Sequence, residues 1–453
     1  MNFLQLLISL FVLMSASALH GQTVKYYRFV SYNGQHQYEF RMSVSGKDTA
    51  LSNLYRVTYD QEGRLTRWDY LKALRPELDP AFNVASVAVT YEGEFQRHSY
   101  LDPQGRPKSG TGGEYSEKFK TKPNSTSVVN FQYDRRGRLI ENDGNGCSRY
   151  LWTLDTSGRH IQQYCLDSKG NKVSDSRGIY ETKFKYDSKG RFLQTASYHK
   201  DGRPGKGVSR IDISYDNASN PIEYRYSDSL GLIREGYATI RYEYDKNGYL
   251  TRSQQETSEG LLIAAYSYLW DQYGNLAESR EYGADGELIS EYAISRNSYN
   301  SRNQIVESIT SDWSGIIQSY LRYTYDVNGL LAESVTLNGG ERPMINGLGY
   351  AKITYSYDSK GQVEYESLTD TLGLPINGDE GYAYKFWKWR DDGQVSEVAY
   401  YNVKKELVIP ATEARAAAIT WEYDAYGDFV GAYYYDAKGD RFDPDLAKPV
   451  SND

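Results

Sequence analysis

The sequence predicts an all-β chain built from tandem β-hairpin repeats, stacked into an extended or coiled antiparallel sheet, and three observations carry that expectation. The first is a recurring phrase, aromatic-x-aromatic-Asp-x-x-Gly, as in FKYDSKGRF, YEYDKNGYL, YTYDVNGLL, YSYDSKGQV and WEYDAYGDF. The second is an interval: a second turn follows the first, and Gly158/Gly170, Gly190/Gly202, Gly248/Gly260, Gly274/Gly286, Gly361/Gly373 and Gly427/Gly439 are each 12 residues apart. The third is composition, 45 Tyr against 13 Phe and 4 Met. That bias suits pleated surfaces on which a ring packs while its hydroxyl reaches a partner.

The elements follow in chain order. Residues 1–21 read as a signal peptide: an apolar run, FLQLLISLFVLM at 3–14, precedes the small residues SASA, with cleavage after Ala18 or Gly21. The run is shorter than the roughly 20 residues a spanning helix needs. No membrane span is therefore expected in the mature chain, which is placed in a secreted, periplasmic or cell-surface setting. Residues 22–147 read as irregular N-terminal repeats, with a Gly-, Ser- and Lys-rich mobile loop at 107–127. Residues 148–440 read as a regular hairpin array continuous with them, and 441–453 as a C-terminal tail.

Within the array, Asp at the first turn position and Gly at the fourth predict a type I turn whose glycine is left-handed, closing a three-residue hairpin with a bulge. The pairs Asp187/Gly190, Asp245/Gly248, Asp326/Gly329, Asp358/Gly361 and Asp424/Gly427 are structural turns in this sense. Eight residues remain between turns, enough for a strand. Along YATIRYEY, the residues Ala238, Ile240, Tyr242 and Tyr244 share one face, expected buried, while Tyr237, Thr239, Arg241 and Glu243 share the other. From the second turn to the next first turn the interval varies (20, 17 or 14 residues), so length is free on one side only, and a ligand is expected there. One hairpin cannot bury its own face, so neighbouring copies must stack.

The phrase Y-x-Y-D-x-x-G-R-L, at Tyr133 to Leu139 and in degenerate form at Tyr59 to Leu65, resembles the tyrosine-aspartate (YD) repeat of the RHS family. The likeness covers most of residues 55–440. It implies a β-hairpin spiral in a secreted setting; larger members wrap a toxin segment in a hollow shell or stand on cell surfaces as adhesion modules. This chain is far shorter, adds the fixed second turn, and shows no recognisable toxin domain at its C-terminus.

Candidate chemistry is sparse. His36, His98, His160 and His199 are scattered without metal-ligand spacing, and no nucleophile or phosphate-binding motif stands in a strand-to-helix setting. No catalytic residue, metal or cofactor is therefore expected. A net charge of −8 without a basic patch argues against nucleic acid as partner. Each turn supplies one carboxylate, not the clustered oxygens calcium takes. A glutamate row (Glu141, Glu223, Glu278, Glu307, Glu333, Glu397) falls by parity on the apolar face, either lining a groove or accepting tyrosine hydroxyls. The aromatics Trp387, Trp389, Trp421, Tyr433 and Tyr435 either form a platform for a sugar or protein partner or pack in the core. Cys147 and Cys165 flank the turn Asp155–Gly158; a three-residue bulged turn puts them on one face, two residues out of register, a two-residue turn on opposite faces. An oxidising compartment favours their disulfide. The function expected is a non-enzymatic repeat scaffold that binds a glycan or protein partner. The alternatives are a toxin-associated shell or delivery accessory of RHS type, and a glycan-active enzyme.

Overall fold

A computed structural model describes residues 22–443 apart from 33–37, 46–52, 111–113, 122–125, 141–144, 232–235, 290, 392, 412–415 and 426–428. The expected signal peptide at 1–21, Glu141, Gly427 and residues 444–453 of the expected tail lie outside the described residues. The fold is all-β: among the described residues thirty-one strands belong to one sheet, and every registered pair is antiparallel. The chain forms two compact units. One holds residues up to Asn275 with the short pieces 283–286 and 301–303, and the other holds 276–282, 287–300 and everything from Gln304 onward.

The repeated turn is a local device. In Asp245–Gly248 the Gly248 N–H donates to the Asp245 carbonyl at 3.0 Å, while the Asp245 carboxylate accepts from the N–H groups of Asn247 and Tyr249 at 2.8 and 2.9 Å. Gly248 has φ +80°, the left-handed region that glycine enters without a Cβ penalty. Where Arg follows the glycine, its Nε reaches back to the same carboxylate, as in Arg191 to Asp187 at 2.7 Å and Arg159 to Asp155 at 2.7 Å.

Each first turn is followed by a bulge. Tyr244 pairs with Leu250, but Glu243 pairs with Arg252, so Thr251 is an extra residue and the register shifts by one. The same shift occurs at Tyr215/Pro221, Tyr299/Ile305, Tyr325/Leu331, Tyr357/Val363, Trp389/Val395 and Tyr423/Phe429. The aromatic residue before each turn aspartate then bonds to the bulge of the preceding hairpin. In the first unit the hydroxyls of Tyr186, Tyr215 and Tyr244 donate to the carbonyls of His160, Phe192 and Pro221 at 2.9, 2.7 and 2.9 Å, and Trp270 Nε1 donates to Leu250 at 2.6 Å. In the second, Tyr299, Tyr325, Tyr357, Trp389 and Tyr423 do the same for Leu276, Ile305, Leu331, Val363 and Val395 at 2.7–2.9 Å. A ring with a polar tip is needed at this position, so it is Tyr or Trp and never Phe in these nine hairpins.

The inner face follows the expected alternation. Ala238 and Ile240 are buried and Tyr242 and Tyr244 half-buried, while Tyr237, Arg241 and Glu243 are exposed. Six residues before eight of the nine staple aromatics a small side chain recurs, Tyr180 before Tyr186 being the exception, and Ala238, Ala293, Ala351, Ala383 and Ala417 are all buried. The variable stretch after the second turn is a third turn of the same kind: Asp175–Gly178, Asn346–Gly349 and Gly378–Gly381 each close as the first turns do. Where it is absent, the second turn leads straight into the next strand, as from Leu250–Glu256 to Leu262–Trp270.

The N-terminal region differs from expectation at 107–127. Instead of a loop alone, that stretch holds the strand Ser116–Thr121, which pairs with both Phe95–Leu101 and Ser127–Tyr133. Its driving residue is Phe119, 5% exposed, packed with Val128 and Trp152. The largest apolar core also lies here, around Val57, Trp68, Val84, Val87, Val89 and Tyr100. In the same unit the N-terminal hairpin Thr23–Val44 packs against the turn row: Phe29 meets Tyr249 edge-on at 5.5 Å, and Arg41 donates to the Ser219 carbonyl at 3.3 Å.

Candidate binding groove

The bulge decides which face carries the glutamates. Because it inserts one residue just after the turn, it reverses the parity of the return strand, and the row lands on the outer face rather than the apolar one. Glu223 pairs with Arg241 across the strands Pro221–Ser227 and Thr239–Tyr244, and their side chains meet at 2.6 Å. Glu278 meets Arg296 at 2.7 Å, Glu307 meets Arg322 at 2.9 Å, Glu333 meets Lys352 at 3.0 Å, and Glu397 meets Lys388 at 2.6 Å. Of these five only Glu307 also accepts a tyrosine hydroxyl, from Tyr320 at 2.7 Å; that bond, ahead of the opposing desolvation and the Arg322 contact, holds its carboxyl below the ordinary range. The row is therefore an ionic ladder on the exposed surface, each acid tied to a cation.

One rung of that ladder, in the second unit, is different. At the glutamate position of the strand Val363–Thr369 stands Tyr365, and at the facing position of Tyr384–Trp389 stands Phe386. The sibling positions of Phe386 hold Lys183, Asp212, Arg241, Ser267, Arg296, Arg322, Thr354 and Thr420. The two rings stand where three other hairpins place the ion pairs Glu223–Arg241, Glu278–Arg296 and Glu307–Arg322, with centroids 4.6 Å apart and tilted by 57°. Tyr384 stacks beside Tyr365 at 5.8 Å, and Tyr401 meets Phe386 edge-on at 5.4 Å. Directly opposite Phe386 the third strand, Val395–Tyr401, places Ala399, which fills none of the space between the rings.

The result is a groove of about 570 Å³ walled by these four aromatics, Trp387 and Ala399, and rimmed by Glu364, Lys388, Glu397 and Lys405. Phe386 is 42% exposed, so its ring is offered to solvent at the mouth. Desolvation by the neighbouring rings raises the Tyr365 phenol, which stays protonated and can donate a hydrogen bond. Across the sheet, beneath the groove, Glu366 is 8% exposed. Burial holds its carboxyl above the ordinary range although Lys385 opposes the shift, and Tyr382 donates to it at 3.3 Å. Lys385 itself lies 4.7 Å from the Trp387 ring centre and 5.1 Å from that of Tyr400. These contacts fix the strand pair that carries the groove.

Of the residues singled out from the sequence, Trp387 and Glu397 line this groove. Trp389 and Trp421 are half-buried on the inner face, the former as a backbone staple. Tyr433 donates to Glu422 at 2.7 Å with Arg441 over its ring, and Tyr435 lies beside Thr420. Tyr365, Tyr384, Phe386 and Tyr401 were not singled out; the departure of Phe386 from its charged or hydroxyl-bearing siblings is the signal that marks them. The groove lies on strands, with only Lys405 coming from a second turn, and not in the variable stretch.

Cys147 and Cys165 form a disulfide, Cα atoms 5.4 Å apart and both side chains buried. The route to it differs from the expected one. The bulge sets Cys165 against Tyr150, three residues from Cys147, and the strand Arg149–Leu154 begins only after Cys147, so the chain approaches from outside the ladder. Among the described residues no cluster of three His, Cys, Asp or Glu side chains has the form of a metal site, and no helix is long and apolar enough to cross a membrane. A second cavity, of about 280 Å³ in the first unit, is lined by Arg41 and Arg191, whose guanidinium groups bond to turn carbonyls of Ser219 and Asp216.

No family model and no curated protein matches the chain. Among solved structures it is similar to the TcdB2-TccC3-Cdc42 crystal structure, at 13% identity over 93% of this chain and 28% of that one, with a TM-score of 0.27. The TcdB2-TccC3-TEV crystal structure is similar at 13% identity, over 91% of this chain and 26% of that one, with a TM-score of 0.30. A porin-like protein from Bacteroides uniformis shares 10% identity over 62% of this chain and 92% of its own, with a TM-score of 0.21. The chain thus spans little more than a quarter of the TcdB2-TccC3 chains.

Proposed function

We propose that this chain is an exported, non-enzymatic β-hairpin repeat scaffold that binds a glycan in the groove around Tyr365 and Phe386. One observation carries the reading: among the described rungs of the outer face, which otherwise hold charged or polar side chains, a single one holds an aromatic pair over a small-residue floor. Concave sites that orient a small ligand combine ring faces with a few polar groups, and a sugar presents the matching C–H faces and hydroxyls. Lys388 and Glu397 are tied to each other, which leaves Glu364 and Lys405, without partners among the described residues, to meet ligand hydroxyls. Export rests on the apolar run at residues 3–14, and the buried disulfide supports an oxidising compartment.

A glycan array followed by calorimetry on the intact chain tests the reading, with Phe386→Ala and Tyr365→Ala beside wild type. Saturable binding weakened at least tenfold by either change supports it; binding that both variants retain removes the groove from the account. Turnover of a bound glycan, lost in Glu364→Gln, would assign the groove to a glycan-active enzyme instead. The tyrosine-aspartate phrase favours a second reading, an accessory of RHS-type toxin shells. That reading predicts a co-expressed polypeptide shielded from protease by this chain, with no glycan bound.

A further inference from the structure

We propose that Lys405 makes the groove selective for acidic glycans, sugars that carry a carboxylate or a sulfate, an inference that rests on the reading of the groove as a glycan site. A turn that gives up its glycine points to this residue. The fourth residue of a second turn is glycine at Gly260, Gly286, Gly315, Gly373 and Gly439, with φ between +81° and +89°. The turn Asn402–Lys405 closes in the same way: Lys405 N–H donates to the Asn402 carbonyl at 2.9 Å, and Asn402 Oδ1 accepts from the N–H groups of Lys404 and Glu406 at 2.9 and 3.1 Å. Its fourth residue is nevertheless a lysine, at φ +63°. A Cβ costs stability in the left-handed region, so lysine works against the preference of the turn, and such strain is characteristic of functional positions.

Three other turns make the same exchange, and in each the side chain is used inside the protein. The Ser219 hydroxyl, on a residue with φ +70°, accepts from Arg191 at 3.4 Å. Asn303, at φ +57°, accepts from Asn275 at 3.1 Å and donates to Asn53 at 3.4 Å. Glu341, at φ +60°, pairs with Arg322 at 2.8 Å. The ammonium of Lys405 meets no partner among the described residues, and the side chain lines the groove instead.

The neighbouring charges leave that ammonium available. Lys388 is tied to Glu397 at 2.6 Å, and Lys385 is held beside the rings of Trp387 and Tyr400. Two lysines and two glutamates balance on the rim, so an anionic group meets no net repulsion there although the chain carries −8. An ammonium on a flexible stem acts as a point charge toward an anion, while the rings of Tyr365 and Phe386 take the face of the sugar. The contact is charge-assisted for an acid and weaker for a hydroxyl, and that difference is the selectivity.

The test uses the intact chain on an array of matched sets: neutral oligosaccharides, the same oligosaccharides oxidised at C6 to uronates, and the same oligosaccharides O-sulfated. Calorimetry on the best-bound set, at low and at high salt, gives the affinities. The expected result is that an acidic member binds at least tenfold more tightly than its neutral counterpart, with the advantage shrinking at high salt; the uronate and sulfate arms tell which anion is taken. Lys405→Gly supplies the residue that the sibling turns carry, so it should raise the urea midpoint rather than unfold the chain. It should also erase the acid preference while the neutral member loses less than about threefold in affinity, whereas Lys405→Arg keeps the preference. Equal binding of acidic and neutral members by wild type, or an acid preference that survives Lys405→Gly, overturns the role of Lys405. The glycan groove itself stands in that case if Phe386→Ala still weakens binding. Absence of saturable binding by every member of the array overturns both.

Discussion

Replacing Tyr244 by Phe isolates the staple that links one hairpin to the next. The ring and its packing stay, and what is lost is the 2.9 Å bond from the hydroxyl to the Pro221 carbonyl. A neutral hydrogen bond contributes about 1 kcal/mol net, and leaving a partly buried acceptor unpaired adds up to about another 1 kcal/mol. The expected cost is therefore about 1–2 kcal/mol, or roughly a 5- to 30-fold change in the local opening equilibrium. In a repeat array each hairpin contacts mainly its neighbours, so the loss should stay local and not appear as one shift of a global midpoint. Hydrogen exchange resolved along the chain is the suitable assay: amides of 211–227 and 239–256 should exchange faster by that factor, while 53–101 keep their wild-type rates. Tyr237→Phe is the control, since that ring is 40% exposed and its hydroxyl bonds to nothing among the described residues. Equal effects from Tyr244→Phe and Tyr237→Phe, or less than a twofold change from the former, would refute the staple.

Three further outcomes follow from the same geometry. Gly329 has φ +82° with open space where a Cβ would go, so Gly329→Ala should cost about 1 kcal/mol through backbone conformation alone, and Gly329→Asn less; Asn303 already holds this conformation at φ 57°. Urea unfolding of the second unit, followed by circular dichroism, compares the two variants. Reduction of the Cys147–Cys165 bond, which closes a loop of sequence separation 18, should lower stability by about 3 kcal/mol, and alkylation should add mass only after reductant. Desolvation pushes the phenols of Tyr186 and Tyr215 up to about 12. A raised phenol contributes stability fully present below about pH 10 and lost as the pH rises through the folded value. Alkaline unfolding should thus coincide with phenolate absorbance in one steep step; a gradual rise in absorbance with the fold intact would contradict it.

The hairpins are legible in the sequence because Asp-x-x-Gly is a local code: one carboxylate, two nearby N–H groups and one left-handed glycine suffice, with no distant partner. The inner alternation along Ala238, Ile240, Tyr242 and Tyr244 is legible for the same reason. Return-strand parity is not, because the extra residue of the bulge, such as Thr251, shifts the register without changing the pattern of residue types. That single residue moves Glu223 and its siblings from the inner face to the outer. The strand Ser116–Thr121 is hidden by its lysines and serine, since only Phe119 marks it as core. The groove needs the register as well: Tyr365 and Phe386 become partners only once third turns and bulges are placed.

The abundance of tyrosine follows from this architecture rather than from a special chemistry. The bulge of each first-turn hairpin leaves a carbonyl on the inner face turned away from the ladder, and an unsatisfied acceptor there would recur with each repeat. An aromatic side chain ending in a donor resolves two requirements at one position, covering apolar surface with its ring and the carbonyl with its tip. Phenylalanine meets only the first, which is why Phe is absent from the staple positions yet appears at Phe386, on the face where no carbonyl has to be met. The inner face is thereby committed to joining repeats. The outer face carries no such commitment, and it is there that the repeat departs from its own rule, with an aromatic rung among charged and polar ones.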